Sequence, residues 1–257
     1  MNMEELFDYK LFAKHLSEIS GKIIRSYFRQ KISIDSKADS SPVTIADKKS
    51  EELMRSEIMK HFPEHGIIGE EFGSYNDNAE YKWILDPIDG TKSFICGTVT
   101  FGTLIALTKN DKPLLGVINQ PILNEFLLGD NYLTELNGEK VTIKDCNKLS
   151  DAVLLTTDHL HIKEYQDIEK FNSLIEKVKL YRNWGDCYGY YLLATGYADI
   201  MIDPIMNLWD LMALIPVIKG AGGIITDYKG EDPVKGNSII AAAPGIHNEV
   251  IRILNRD

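Results

Sequence analysis

The stretch "WILDPIDGTKSF", residues 83–94, constrains the fold more than any other part of the chain. An apolar run that reads as a strand ends in two aspartates, Asp86 and Asp89, separated by Pro87 and Ile88. Pro87 fixes its own φ and biases Asp86 towards an extended backbone. Gly90 then permits angles that other residues avoid. Two carboxylates and the Ile88 carbonyl can thus converge on one point, where the carboxylates repel unless a hard cation such as Mg2+ neutralises them. Gly90, Thr91 and Lys92 follow with exposed backbone amides, and a helix starting there would favour a phosphate oxygen. A calcium-binding turn or an Asx-rich loop uses the same residue types, so this stretch alone leaves those readings open.

The pattern around it is that of a mixed fold. From Glu4 to Gln30, Phe7, Leu11, Leu16, Ile19, Ile23 and Tyr27 recur mostly at three- or four-residue steps, which predicts an amphipathic helix. "SKADSSPV" (36–43) reads as a polar loop, and a second helix is expected over about 45–61. "GIIG", "YKWIL", "FGTLIALT", "LLGVIN" and "EFLLG" read as strands, with a turn at 137–139. Two helices followed by a run of strands is an α+β pattern. Beyond residue 150 strands and helices alternate: "AVLLTT", a helix near 164–178, the helix "DCYGYYLLATG", "ADIMID", the helix "NLWDLMALIPVIKG", "GGIITD", "SIIAAA" and a last helix. That is a more α/β arrangement. The change falls near 145–151 without a Pro- or Ser-rich linker. Two packed subdomains, 1–148 and 149–257, are therefore expected to share one site. A chain of 257 residues can bury such a core without disulfides.

Other carboxylates could join the Asp86–Asp89 turn. "GEEFG" carries Glu70 and Glu71 at the end of a short strand, though a solvated acidic turn would look the same. Asp210 lies in an apolar helical segment, where a buried carboxylate needs a partner; alternatively, Asn207 starts the helix and Asp210 sits in its first turn. Thr44 and Asp47 in "SPVTIAD" have the spacing of a capping box, which needs no chemistry. Asp186 could be an ordinary N-cap for "CYGYYLLATG".

Composition narrows the partners. A net charge of −10 argues against non-specific nucleic acid binding. Cys96, Cys146 and Cys187 form neither a metal knuckle nor a disulfide framework, which suits a reducing compartment. The start is acidic and helix-like, unlike a secretory signal, and no apolar run reaches the roughly 18 residues of a membrane span. A cytoplasmic protein with no membrane partner is expected. "DHLHIK" reads as a polar surface segment rather than a metal site. "KGAGG" reads as a helix C-cap rather than a nucleotide loop. Tyr188, Tyr190 and Tyr191 read as core, with one of them a possible substrate wall, and Cys187 as a small buried group.

Taken together and in order, "SPVTIADKKSE", "GEEFG", "WILDPIDGTKSF" and "NLWDLMALIPVIKGAGGIITD" resemble the inositol monophosphatase family of metal-dependent phosphomonoesterases, from about residue 4 to the end. The resemblance implies a layered αβαβα sandwich, a homodimer and two or three Mg2+ ions. It implies metal ligation by Glu70, Asp86, Asp89, Asp210 and the Ile88 carbonyl, with Glu71 in support. Gly90 and Thr91 would bind phosphate, while Thr91 and Asp47 would orient the attacking water, Glu70 completing the catalytic set. Asp186, Asp203 and Asp210 would face the substrate beside Gly90 and Thr91.

The implied activity is hydrolysis of a small phosphate ester by in-line attack of water, with no nucleophilic cysteine or serine. The G-D-C-Y run at 185–188, with "GVINQP", looks most like the histidinol-phosphate phosphatase branch, and an acidic Asp186 suits a substrate bearing an ammonium and an imidazole. Seven residues before Asp210 both branches usually carry a glutamate, where this chain has the shorter Asp203. Myo-inositol 1-phosphate is the alternative substrate. A non-catalytic phosphate- or metal-binding regulator is the alternative class; it predicts a lost ligand, and every matched position is intact.

Overall fold

The computed structural model describes residues 3–31, 34–36 and 42–256. Helix α1 (Met3–Tyr27) leads to strands β1 (Ile34–Ser36) and β2 (Pro42–Thr44), which pair antiparallel, and then to helix α2 (Ile45–His61). Most of the expected loop at 36–43, residues 37–41, lies outside the described residues, and its ends are strand. On α1 the buried series is Tyr9, Phe12, Ala13, Leu16 and Ile24, whereas Phe7 and Leu11 are 60% and 52% exposed. Two overlapping apolar series run along this helix, and the sheet beneath takes the one containing Tyr9 and Phe12.

That sheet is built from β3 (Gly66–Gly69), β4 (Gly73–Tyr75), β5 (Tyr81–Asp89), then, after helix α3 (Thr91–Ile95), β6 (Gly102–Lys109), β7 (Lys112–Gln120), β8 (Glu125–Gly129), β9 (Thr134–Leu136) and β10 (Glu139–Lys140). Its order is β10-β9-β8-β7-β6-β5-β3-β4, antiparallel except for β3 beside β5. Alternation along the strands buries both faces. Trp83, Leu85, Ile105, Leu107, Leu115 and Val117 pack under α1 and α2 with Phe12, Leu16, Met54 and Ile58. Ile84, Leu104, Ala106 and Ile118 point the other way, into a core shared with the rest of the chain.

The second half supplies β11 (Val153–Thr156), helices α4 (His159–Tyr165) and α5 (Ile168–Ile175), β12 (Leu180–Arg182), α6 (Asp186–Ala194), β13 (Ile200–Asp203), α7 (Leu208–Leu211), α8 (Leu214–Gly220), β14 (Ile224–Thr226), β15 (Ile239–Ala242) and α9 (Pro244–Leu254). The second sheet runs β12-β11-β13-β15-β14, with the first three strands parallel. Helix α8 packs on β7 and β8, and α6 reaches strands of both sheets, while α9 packs on β15 and α5. The layers are thus helices, sheet, helices, sheet, helices.

Two expected helices differ, and one strand was not expected. The helix near 164–178 is two, because Asp158 and Asp167 each cap a new start and Gln166 between them is extended. The helix from Asn207 breaks after Leu211: Pro216 has no N–H to donate, and its ring collides with the carbonyl four residues back. Strand β12, only three residues long, is too short to stand out in sequence.

Candidate active site

Gly69 of β3 lies opposite Leu85 of β5 in a parallel pair, so Glu70 and Asp86 emerge side by side. The Glu70 amide donates to the Leu85 carbonyl at 3.1 Å. Strand β5 does not stop at Leu85, as the sequence suggests; it continues to Asp89, with a register shift against β6 between Asp86 and Asp89. Asp86 is therefore inside a buried strand, 2% exposed. The irregularity is closed locally. The Ile88 amide donates to Asp86 Oδ1 at 3.0 Å, and the Thr91 hydroxyl donates to the Ile88 carbonyl at 3.1 Å. Gly90, at φ 86° and ψ 41°, turns the chain into α3 in a conformation that a Cβ would strain.

Asp210 arrives from the other half of the chain on α7. The Asn207 backbone and side-chain amides donate to its Oδ2 at 3.1 and 3.2 Å, a capping box at the helix start. Capping and site membership coexist here, since one carboxylate oxygen from each of Asp86, Asp89 and Asp210 lies within 4.8 Å of the other two. Burial pushes the Asp86 carboxyl well above the usual range, and the charges of Glu70, Asp89 and Asp210 push it further. Asp89 is raised likewise, first by burial and then by Asp186 and Asp210. Burial lifts Asp210 to about 6. A crowd of carboxylate oxygens that oppose each other's ionisation fits a hard divalent cation, and Glu70, Asp86, Asp89, Asp210 and the Ile88 carbonyl could hold one.

Asp47 fills the expected capping role and keeps one oxygen outside it. Its Oδ2 accepts from the Thr44 amide at 3.0 Å in the predicted capping box. Its Oδ1 is buried with no hydrogen-bond partner among the described residues. Helix α3, which starts at Thr91, packs against β2, the strand that ends at Thr44. Burial raises Asp47 to about 6, with Glu71 contributing. Sequence reasoning missed Glu51, whose carboxylate accepts from the Glu71 and Phe72 amides at 2.8 and 3.2 Å and so shapes the "GEEFG" loop. The signal was its position four residues after Asp47, one turn along the same helix face.

Beyond the acidic cluster a cleft of about 130 Å3 opens between Asp89, Asp210, Asp186, Asp203, Tyr190 and Thr157. Asp186 is not the N-cap of α6: Gly185 holds that position, and Asp186 follows at φ 49°. Its Oδ2 accepts from the Ser93 hydroxyl at 3.2 Å. A Cβ on Gly90 would fall 2.8 Å from that oxygen, so the carboxylate lies against the Gly90 turn. Burial raises it to about 6. Asp203 behaves otherwise. It is buried, and its two oxygens accept from the Thr157 amide at 3.1 Å and the Tyr190 hydroxyl at 2.8 Å. It walls the cleft while both oxygens are already engaged.

Other motifs find their places around this cleft. "DHLHIK" is no mere surface segment, since it begins α4, His159 pairs with the Tyr181 hydroxyl at 2.8 Å and His161 lines the cleft. Ala221 caps α8 and Gly222 follows at φ 88°, the left-handed glycine that such a helix end uses. Tyr190 is buried with its hydroxyl on the cleft wall, and Tyr188 stacks on Tyr191 at 4.9 Å. Cys187 is buried and its amide donates to Asp89 Oδ2; burial also pushes its thiol up, away from reactivity. All three cysteines are free.

Comparison with known proteins bears on the whole chain. The sequence model of the inositol monophosphatase family matches residues 8–256. The chain is 48% identical over 231 residues to the bifunctional phosphatase IMPL2, chloroplastic, of Arabidopsis thaliana, covering 88% of this chain and 66% of that longer protein. It is 37% identical over 233 residues to a histidinol-phosphatase of Chlorobaculum parvum, covering 90% of each. Its fold superposes on an inositol monophosphatase from Zymomonas mobilis with a TM-score of 0.88, at 36% identity and over 99% of each chain.

Proposed function

We propose a reaction for this chain on the premise that it belongs to the inositol monophosphatase family and is a phosphatase: Mg2+-dependent hydrolysis of a small phosphate monoester, L-histidinol phosphate. The observation that carries the choice of substrate is the placement of Asp186. Its carboxylate is not spent on capping, and it stands between the Gly90 turn and the cleft. A substrate whose phosphate sits on that turn would bring its alcohol portion past Asp186, and an ammonium group there meets the opposite charge.

Bound by Glu70, Asp86, Asp89, Asp210 and the Ile88 carbonyl, Mg2+ would supply positive charge to the phosphoryl oxygens and make water more acidic. The chain's own groups do the rest. The Gly90 and Thr91 amides hold a phosphoryl oxygen and favour the charge that grows there as the ester bond breaks. The spare oxygen of Asp47 accepts a proton from the attacking water, and the Thr91 hydroxyl keeps that water in line. Asp203 acts on the alcohol side only through the neighbours it holds. A homodimer goes with this reading, as the family resemblance implies, and a cytoplasmic setting goes with it on the cysteine pattern and composition. Among the described residues no helix is long and apolar enough to cross a membrane.

Asp186→Asn tests the assignment. It keeps the shape and removes the charge, so kcat/KM for L-histidinol phosphate should fall about tenfold or more, the effect of roughly 1.4 kcal/mol. Turnover of glycerol 2-phosphate, which has no ammonium, should change little. Equal losses on both esters would sink the substrate reading.

A further inference from the structure

We infer that Thr157 is a positioning residue for substrate discrimination: its hydroxyl oxygen holds Asp186 in the backbone conformation that aims the carboxylate at the Gly90 turn. This rests on the proposed role of Asp186.

Thr157 follows β11 and Asp203 ends β13. These strands are parallel, with Thr156 opposite Ile202, so Thr157 and Asp203 leave the sheet together at its carboxyl edge. Crevices beyond the carboxyl ends of parallel strands are where such sheets bind ligands. The Thr157 amide donates to Asp203 Oδ1 at 3.1 Å, and the other Asp203 oxygen is held by the Tyr190 hydroxyl at 2.8 Å. Thr157 is thereby anchored to the sheet and to α6.

Its hydroxyl oxygen then accepts the Asp186 amide at 2.8 Å. Asp186 sits at φ 49°, a left-handed conformation that a residue with a Cβ adopts at a cost. That conformation needs holding from outside. Gly185 lets the two segments touch, because a Cβ there would lie 2.1 Å from Thr157 Cα. On the far side the Ser93 hydroxyl donates to the Asp186 carboxylate at 3.2 Å, and Ser93 in turn accepts from Thr100 at 3.1 Å. Asp186 is gripped by its amide from one half of the chain and by its carboxylate from the other. The amide grip belongs to Thr157 alone among the described hydrogen bonds. Asp203, with both oxygens engaged, serves this arrangement by holding Thr157 in place.

The test compares Thr157→Val, which keeps the shape and loses the acceptor, with Thr157→Ser, which keeps the acceptor. For each, kcat/KM is measured with Mg2+ on L-histidinol phosphate and glycerol 2-phosphate, and the exchange rate of the Asp186 amide proton is followed by NMR. Thr157→Val should lose about tenfold on L-histidinol phosphate, chiefly in KM, with little change on glycerol 2-phosphate. Its Asp186 amide should exchange faster. Thr157→Ser should behave as wild type in both respects. If Thr157→Val does not fold, Thr157→Ala removes the same acceptor without adding bulk and is read in the same way. Wild-type behaviour of Thr157→Val, or equal losses on both esters that serine does not rescue, would overturn the inference. Asp186→Asn separates the two levels. If it abolishes the preference while Thr157→Val does not, only Thr157 is misassigned; if it leaves the preference intact, both readings fall.

Discussion

Asp89 carries opposing demands at the scale of a single residue. It accepts from the Cys187 amide, yet it stands within 4.8 Å of Asp86 and Asp210 through their carboxylate oxygens. Asp89→Asn removes a proposed ligand and also relieves repulsion. Turnover should fall about a hundredfold or more, since even the outer partners of metal ligands are worth roughly 10–100-fold. The melting temperature of the metal-free protein should hold or rise, and its upward shift on adding Mg2+ should disappear. Near-wild-type Mg2+-dependent rates in this variant would refute the ligand assignment. Much at this scale was legible in advance. Asp86, Asp89 and Asp210 converge as their motifs suggested, and Asp47 sits in the capping box that its spacing predicted. What sequence could not show is that a capping carboxylate keeps its second oxygen buried outside the cap. Nor could it show that Asp186 reaches Ser93 rather than its own helix, or that Asp203 is already engaged. Two of those three contacts join residues 46 and 93 positions apart.

At the scale of elements, the approach of α8 to the first sheet matters most. A Cβ on Gly116 of β7 would lie 1.9 Å from the Ala213 carbonyl oxygen, and one on Gly129 of β8 would lie 2.5 Å from Val217 Cα. Helix and sheet meet backbone to backbone, and Asp210 lies just upstream of that contact. Gly116→Ala should therefore cost about 1–3 kcal/mol, the usual penalty of overpacking. It should also raise the Mg2+ concentration needed for half-maximal activity, because α7 moves with α8. A variant as stable as wild type, with unchanged Mg2+ dependence, would show that the contact can relax. The long periodic helices and apolar strands were readable from sequence. The break around Pro216 was also readable in principle, since the proline's missing donor acts regardless of context. The pairing of β12 with β11 was not, for a three-residue strand has too few side chains to set a period.

At the scale of the whole molecule, the family resemblance implied the layered architecture and the change of pattern near residue 150 only two packed halves; neither showed the shared core. Ile84, Leu104 and Ile118 of the first sheet join one cluster with Leu154, Ile200 and Ile240 of the second, a contact between segments that sequence periodicity treats separately. The site lies between those halves, and its charge makes stability depend on pH. Asp47, Asp186 and Asp210 titrate at about 6 and Asp203 at about 7 in the folded chain, against roughly 3.9 when unfolded. Between about pH 4 and pH 7 the folded state therefore binds more protons than the unfolded one, and these groups reduce stability as pH rises. Mg2+ held by the cluster would oppose that loss by replacing protons. The gap in melting temperature between Mg2+-saturated and metal-free protein should widen from pH 4 to pH 7; a constant gap would mean that the carboxylates do not hold the ion. The most direct test of the proposed reaction is phosphate release with Mg2+, comparing kcat/KM for L-histidinol phosphate and myo-inositol 1-phosphate, with EDTA as control. A strong preference for L-histidinol phosphate that EDTA abolishes is the expected result. Preference for myo-inositol 1-phosphate, or turnover that survives EDTA, would contradict it.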